Sequence, residues 1–192
     1  MTIGEAKVKG DDRTHFNKPT SVAVSKDGSF YVSDGYGNNR VIKFSARGKY
    51  LFEWGKKGDG EGEFNIPHRV CLDNSGNVYV ADRENNRVQV FDPTGKFIKQ
   101  YRDKSFGTIT SVAFNKTQTK LFAADDFTFL KLKHRGSDLF IFDSIGRVQT
   151  RFGRSGDYDG RNCWYHDLVV DEEENIYVGD ILGNTIQKFK RD

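Results

Sequence analysis

Two of the four histidines in this chain, His68 and His166, occupy equivalent places in two similar segments, and imidazole is a side chain that binds metal ions. Neutral histidine is a common ligand of Zn²⁺, and a catalytic zinc usually has three protein ligands and a water. The pair therefore raises the hypothesis of a zinc site. From spacing alone, the simpler interpretation is that each imidazole hydrogen-bonds in a polar channel. His15 and His134 lie outside this register and are predicted not to be ligands.

Two further side chains could take part in chemistry, a phenol and a guanidinium. Tyr36 lies in the glycine-rich segment DGYGNNR, and Arg83 lies in the similar segment ADRENNR. A phenol can transfer a proton, and a guanidinium can hold a carboxylate through two parallel hydrogen bonds. Tyr36 could equally be an exposed aromatic residue at a channel mouth, and Arg83 could pair with Asp34 or Asp82. Neither segment decides between these roles.

The elements that position these residues are set by an internal repeat. Four segments of the sequence align, and in each an aspartate follows an anchor residue after 14, 14, 15 and 14 positions. Within a repeat, short apolar runs alternate with turn signals such as Asn74-Ser75-Gly76 and Pro93-Thr94-Gly95. The anchors are Thr20, His68, Thr110 and His166, and the aspartates are Asp34, Asp82, Asp125 and Asp180.

Four antiparallel strands in each repeat of about 40 residues is the pattern of a propeller blade. A β-sandwich also has many short strands, but it would not explain the nearly constant offset of 14 or 15 residues between anchor and aspartate. We therefore predict an all-β fold, a single β-propeller domain over residues 1–192 with negligible helix, built from repeats that resemble the NHL type. Its four four-stranded blades are expected at about 16–55, 62–102, 106–153 and 160–192.

The ends of the repeat array carry an expectation of their own. The fourth repeat has sequence for three strands, and residues 5–9 could supply the fourth by pairing with residues 186–189. Such pairing would close a ring and remove two unpaired sheet edges. If the ring stays open, the exposed edges favour a homodimer.

The site is expected on one face of the blades. Adjacent strands of a blade run antiparallel, so the start of the first strand and the end of the second share a face. That arrangement gathers the anchors and the loops after the aspartates around the mouth of the central channel, with Tyr36 and Arg83 among them.

The composition excludes some classes of function. The 30 Lys and Arg residues and 27 Asp and Glu residues are interspersed, and the net charge is +3. A nucleic-acid-binding protein would be expected to carry a basic stripe, so RNA or DNA is not an expected partner. Cys71 and Cys163 read as small buried residues, although one bridge is conceivable. The first residues lack the apolar core of a signal peptide. The sequence has no apolar run long enough to predict a membrane-spanning helix, so a membrane is not an expected partner.

At these residues the sequence resembles the peptidyl-α-hydroxyglycine α-amidating lyases, also called peptidylamidoglycolate lyases. The resemblance runs from Gly10 to Phe189, through GDDRTHFNKPTSVAV, YVSDGYGNNRVIKF, EWGKKGDGEGEFNIPH, VADRENNRVQVF and HDLVVDEEENIYVGD. SDGYGN is the most specific of these stretches. The resemblance implies a secretory-pathway enzyme that splits a C-terminal α-hydroxyglycine into a peptide amide and glyoxylate.

The resemblance also implies roles for individual residues. His68 and His166 match two of the three histidines that hold zinc in the family, and Asp167 matches a residue of its calcium site. Tyr36 looks like the catalytic tyrosine and Arg83 like an active-site arginine. We therefore expect Zn²⁺, bound less firmly by two histidines than by three, and Ca²⁺ near Asp167.

The sequence departs from the family in three ways. The family's propeller has six blades, and this chain aligns with four consecutive ones, without the blade that carries the third histidine and a second arginine. Tyr165 stands where the family usually has proline, and Gly37 stands where it has a cysteine. Two functions follow as hypotheses: a metal-dependent amidating lyase, or a non-catalytic propeller that binds peptides or proteins at its channel mouth.

Overall fold

The computed structural model describes residues 1–126, 128–129, 133–134, 136–143, 145–153 and 163–190, and nearly all their regular structure is antiparallel β-sheet. The one helical element among them is a single 3₁₀ turn, η1, at Arg83–Asn85. The predicted all-β fold of propeller-type blades with negligible helix is confirmed. The chain divides into two compact units, Met1–Gln100 and Tyr101–Asp192.

The first two blades are four-stranded meanders, with sheet orders β1-β2-β3-β4 and β5-β6-β7-β8. Their strands lie inside the predicted blade boundaries, and apolar side chains on the inner strands form the core of the first unit. Gly28 and Gly76 have positive φ in the hairpin turns, a conformation that favours glycine. The strands are β1 Ser21–Val24, β2 Phe30–Asp34, β3 Arg40–Phe44, β4 Tyr50–Trp54, β5 Pro67–Leu72, β6 Val78–Asp82, β7 Arg87–Phe91 and β8 Phe97–Arg102.

The third blade has the sheet order β14-β13-β10-β9, and a small hairpin, β11-β12, lies between β10 and β13 in the sequence. The fourth sheet contains β15, β16 and β17. Parts of the predicted boundaries 106–153 and 160–192 lie outside the described residues. The strands are β9 Thr108–Phe114, β10 Leu121–Asp126, β11 Thr128–Phe129, β12 Lys133–His134, β13 Asp138–Phe142, β14 Val148–Gly153, β15 Tyr165–Val170, β16 Ile176–Asp180 and β17 Thr185–Phe189.

The repeated aspartates tie each blade's second strand to the segment that enters its first. In all four repeats the carboxylate accepts a backbone N–H two or three residues before the anchor, at 2.7–2.9 Å. A buried N–H without a partner is costly, so these bonds stabilise the chain's entry into every blade. The pairs are Asn17 with Asp34, Asn65 with Asp82, Gly107 with Asp125, and Trp164 with Asp180.

Residues 5–9, expected as a closing strand, do not form one. The N–H of Val8 donates to the carbonyl of Glu5 in a turn, and Lys7 has a positive φ of 69°. Lys9 then makes an isolated bridge to Phe16. A local turn has therefore replaced the extended backbone that strand pairing requires, and the prediction for residues 5–9 was wrong. The fourth sheet has three strands among the described residues.

The two cysteines are free thiols, as their preferred interpretation expected. Cys163 is fully buried in the apolar core of the second unit, and Cys71 is half-buried on β5. The single-domain prediction for residues 1–192 and the homodimer expected for an open ring stay predictions.

Candidate functional site

Three of the four anchors lie at β-bulges, a feature that the sequence did not reveal. Around His68 the pairing of β5 with β6 shifts, since Pro67 pairs with Asp82 while Arg69 pairs with Ala81. The same shift surrounds His166 in β15 and Thr110 in β9. A bulge inserts one extra residue, bends the strand and redirects a side chain, and bulges are common beside active sites. The constant offset between anchor and aspartate marks this place but gives no sign of the irregularity.

Tyr36 and His68, two of the predicted site residues, are in direct contact. The phenolic oxygen lies 2.9 Å from Nε2 of the imidazole, and the rings meet edge to face with centroids 5.4 Å apart. His68 is only 6 % exposed, whereas Tyr36 is 45 % exposed. A buried imidazole therefore meets solvent through a phenol. In this pair a proton can be held on either the oxygen or the nitrogen.

The loop that carries Tyr36 is fixed by close backbone packing. The N–H groups of Tyr36 and Gly37 donate to the carbonyls of Lys18 and Asn17 at 3.3 and 2.9 Å. Gly35 leaves no room for a side chain, because a Cβ there would lie 2.1 Å from the carbonyl oxygen of Pro67. Gly35 therefore lets the loop pass against the segment that contains His68, which brings the phenol within reach of the imidazole, while Gly37 packs closely against Asn17.

Arg83 begins η1, in the loop of the second blade that corresponds to the Tyr36 loop. Its N–H donates to the carbonyl of Ile66 at 3.1 Å, and its guanidinium forms a 3.0 Å ion pair with Glu84. Its side chain is 13 % exposed, so most of it is buried.

The loop aspartates, considered above as partners of Arg83, are bonded to other arginines. Arg40 Nε donates to Asp34 at 3.2 Å, and Arg87 Nε donates to Asp82 at 2.7 Å. These arginines also donate to several backbone carbonyls of the segments before their blades. Neither arginine was predicted from the sequence, although each stands at the start of its blade's third strand, five or six residues after the aspartate.

His166 and Asp167 lie on β15 in the second unit. His166 is half-buried, and Asp167 is exposed. One oxygen of Asp167 accepts hydrogen bonds from the Ser111 hydroxyl at 2.7 Å and from the Leu168 N–H at 2.9 Å. Tyr165, the departure from the family pattern, is fully buried, and its hydroxyl bonds to Gln187 at 3.1 Å. A buried, hydrogen-bonded tyrosine therefore stands where the family usually has proline.

Comparison with known proteins agrees with these features. The NHL repeat family matches residues 16–44 and 64–91, which fall in the first two blades. Over 51 residues the chain is 51 % identical to the probable peptidyl-alpha-hydroxyglycine alpha-amidating lyase of Caenorhabditis elegans, a match that covers 27 % of this chain and 15 % of the relative. These matches confirm the NHL repeats and the predicted resemblance to the peptidyl-α-hydroxyglycine α-amidating lyases.

Other relatives extend the match over the whole chain. The chain is 32 % identical over 197 residues to peptidyl-glycine alpha-amidating monooxygenase A of Xenopus laevis, covering 98 % of this chain and 21 % of the relative. It thus spans about a fifth of that protein. Among solved structures, a streptogramin B lyase has a TM-score of 0.62 at 16 % identity and covers 91 % of this chain and 55 % of its own. That likeness supports the fold.

In this amidating-lyase homologue, the predicted ligands have the right chemistry for a zinc ion, but they are fewer than the three that a catalytic zinc site usually has. His68 and His166 offer imidazole nitrogens, which Zn²⁺ prefers. Among the described residues, no group of three or more His, Cys, Asp or Glu side chains is arranged to hold a metal. His15 hydrogen-bonds to Asp12 at 2.9 Å, and the side chain of His134 lies outside the described part of the chain. The described residues also contain no helix that could cross a membrane.

Proposed function

We propose that this protein is a lyase of the amidating type, which cleaves a peptidyl-α-hydroxyglycine into a peptide amide and glyoxylate. The observation that carries the proposal is the 2.9 Å contact between the Tyr36 hydroxyl and His68 Nε2. It supplies a proton-transfer pair in a chain whose relatives are named as α-amidating lyases. A solvent-facing phenol backed by a buried imidazole is suited to general acid–base chemistry.

The reaction needs one proton removed and one returned. The hydroxyl on the α-carbon of the substrate loses its proton to the Tyr36 oxygen, while the phenolic proton moves to His68 Nε2. The oxygen's electron pair forms the carbonyl of glyoxylate, and the bond between the α-carbon and the amide nitrogen breaks. The electron pair of that bond stays on nitrogen, which takes a proton back from the pair. The products are the peptide amide and glyoxylate, so atoms and charge balance.

Two further residues are assigned to binding. We assign Arg83 to the carboxylate of the substrate's terminal residue, which would replace Glu84 as the partner of its guanidinium. His68 and His166 are the chain's candidate zinc ligands, and a bound Zn²⁺ would polarise an oxygen of the substrate. Asp167 is assigned to calcium, which prefers oxygen ligands. A peptide is the expected partner, and the secretory pathway is the expected location.

The test is release of glyoxylate and peptide amide from a synthetic peptidyl-α-hydroxyglycine by the purified chain. Turnover is expected in the presence of zinc, with loss on chelation and in His68→Ala and His166→Ala. Equal rates in the parent and the buffer blank would overturn the proposal. If the peptide still bound without being cleaved, the non-catalytic, peptide-binding propeller would replace it. Lys116→Ala, which changes an exposed ion pair, is a matched surface control.

A further inference from the structure

We infer that Thr20 and Thr110 are positioning residues that orient the two anchor histidines. Each threonine hydroxyl donates to the peptide group that directly precedes the histidine of the following repeat. The orientation of the imidazoles follows from contacts within each unit. Its consequence for catalysis rests on the proposed lyase function.

The first unit contains one of these contacts. The Thr20 hydroxyl lies 2.7 Å from the carbonyl oxygen of Pro67, 2.8 Å from the Ser33 hydroxyl and 3.1 Å from the carbonyl oxygen of Ser33. Its one proton can go to one acceptor at a time; the contact to Pro67 in the second blade is the shortest, and the Ser33 hydroxyl can itself donate to Thr20. Pro67 and His68 share a peptide plane, so fixing the Pro67 carbonyl limits rotation of the backbone that carries the imidazole.

The second unit repeats the contact in the same register. The Thr110 hydroxyl lies 2.7 Å from the carbonyl oxygen of Tyr165 and 3.1 Å from that of Ala124. Tyr165 precedes His166 as Pro67 precedes His68, and Ala124 precedes Asp125 as Ser33 precedes Asp34. Two independent pairs of repeats therefore make the same bridge at the same distances, although proline has become tyrosine at the acceptor.

The bulges explain why such a bridge is needed. An extra residue at His68 and at His166 interrupts the regular ladder, so the local peptide planes are less constrained by the sheet. A hydroxyl from the neighbouring blade replaces that constraint with a hydrogen bond. In the first unit, Gly35 packs against the same Pro67 carbonyl and leads directly into Tyr36. The bridge thus connects the orientation of His68 to the phenol it meets.

Threonine to valine is the sharpest test, because it removes the hydroxyl and keeps the branched shape. Protein labelled with ¹⁵N at histidine should give four sets of ring signals, assigned with the single His→Ala variants. Thr20→Val is expected to shift the ring signals of His68 and leave those of His166 unchanged. Thr110→Val is expected to do the reverse. Thr20→Ser and Thr110→Ser, which retain the hydroxyl, should restore the parent signals, and His15 serves as an internal reference.

Activity gives a second readout. If the lyase function holds, each valine variant should lower kcat about tenfold or more with little change in KM, because a misplaced catalytic group loses rate rather than binding. Unchanged signals of the paired histidine, or equal changes at both histidines in both variants, would overturn the inference. Should Thr20→Val fail to fold, Thr20→Ala and the Thr110 pair give the same comparison. If the valine variants shift the histidine ring signals as expected but the parent releases no glyoxylate, the proposed function is contradicted and the positioning role still holds.

Discussion

Tyr36 and His68 differ in exposure, and that difference gives them different parts in the site. The imidazole is buried and fixed at a bulge, while the phenol is 45 % exposed and reaches it from a loop. The hydroxyl is hydrogen-bonded to Nε2, so a zinc ion that left the proton-transfer pair intact would bind the other ring nitrogen, Nδ1. A zinc ion on Nε2 would displace the phenol and stop the proposed proton transfer.

Tyr36→Phe should separate these two effects. Glyoxylate release is expected to fall by about 100-fold or more, the usual size of a general acid–base contribution. Zinc affinity at His68 is expected to stay unchanged, because a metal on Nδ1 does not compete with the phenol. Steady-state kinetics and a zinc titration with a competing chelator measure the two quantities. A rise of roughly fivefold, the effect of removing a competing hydrogen bond with a net stability of about 1 kcal/mol, would show that zinc uses Nε2 and would contradict a zinc-assisted reaction at this pair.

The sequence could identify Tyr36 and His68 separately but not their contact. Tyr36 was placed by its glycine-rich loop, and His68 by its anchor register. Their meeting depends on the approach of the Gly35 backbone to the Pro67 carbonyl, which no local pattern predicts. Arg40 and Arg87 were missed for a related reason. An arginine at a strand start usually reads as exposed, whereas both of these are buried against backbone carbonyls.

At the scale of elements, the strands were predictable and their irregularities were not. Period-two apolar runs and turn residues locate β1–β8 within the predicted blades. The bulges at His68, Thr110 and His166 arise from pairing between strands, which a single strand's sequence does not encode. The prediction for residues 5–9 was wrong for the same reason. A short β-compatible segment forms a strand only if pairing with another strand is more favourable than its local turn.

Gly35→Ala tests how the Tyr36 loop is held. A new Cβ 2.1 Å from the Pro67 oxygen must displace either the loop or the segment that carries His68. We expect a loss of stability of about 1–3 kcal/mol and a large fall in glyoxylate release. Chemical denaturation and kinetics measure both. Gly179→Ala is the control, since a Cβ there meets nothing closer than 3.9 Å, and it should change neither quantity. If Gly35→Ala were as active and as stable as the parent, the close packing of Gly35 against the Pro67 carbonyl would not be what holds the Tyr36 loop.

At the scale of the whole molecule, each unit contains the repeated aspartates and one threonine bridge. The units differ in which groups hydrogen-bond to the buried aspartate carboxylates. Asp34 and Asp82 each bond to an arginine, whereas Asp125 accepts the N–H groups of Gly107 and Asp138. Asp138 stands where the first two blades have arginine. Burial, with the nearby Asp138 carboxylate as a smaller contribution, raises the pKa of Asp125 from 3.8 to about 7.

This raised pKa predicts how stability depends on pH. Between pH 4 and pH 7 Asp125 is protonated in the folded protein and ionised in the unfolded chain, so the folded state binds more protons. The contribution of Asp125 to stability is therefore greatest at the acidic end and is lost as pH rises towards 7. The Tm of the parent relative to that of Asp125→Asn should therefore fall as the pH is raised from 4 to 7. A difference that stays constant with pH would contradict the assignment.

The proposed function depends on Tyr36 and His68 acting as one unit in glyoxylate release, and a double-mutant cycle measures that coupling. The rates of the parent, Tyr36→Phe, His68→Ala and the double variant are compared as kcat/KM on one peptidyl-α-hydroxyglycine. Groups that act as a unit are strongly non-additive, so the double variant should be no slower than the slower single variant. Losses that multiply, or a Tyr36→Phe protein as fast as the parent, would contradict the claim.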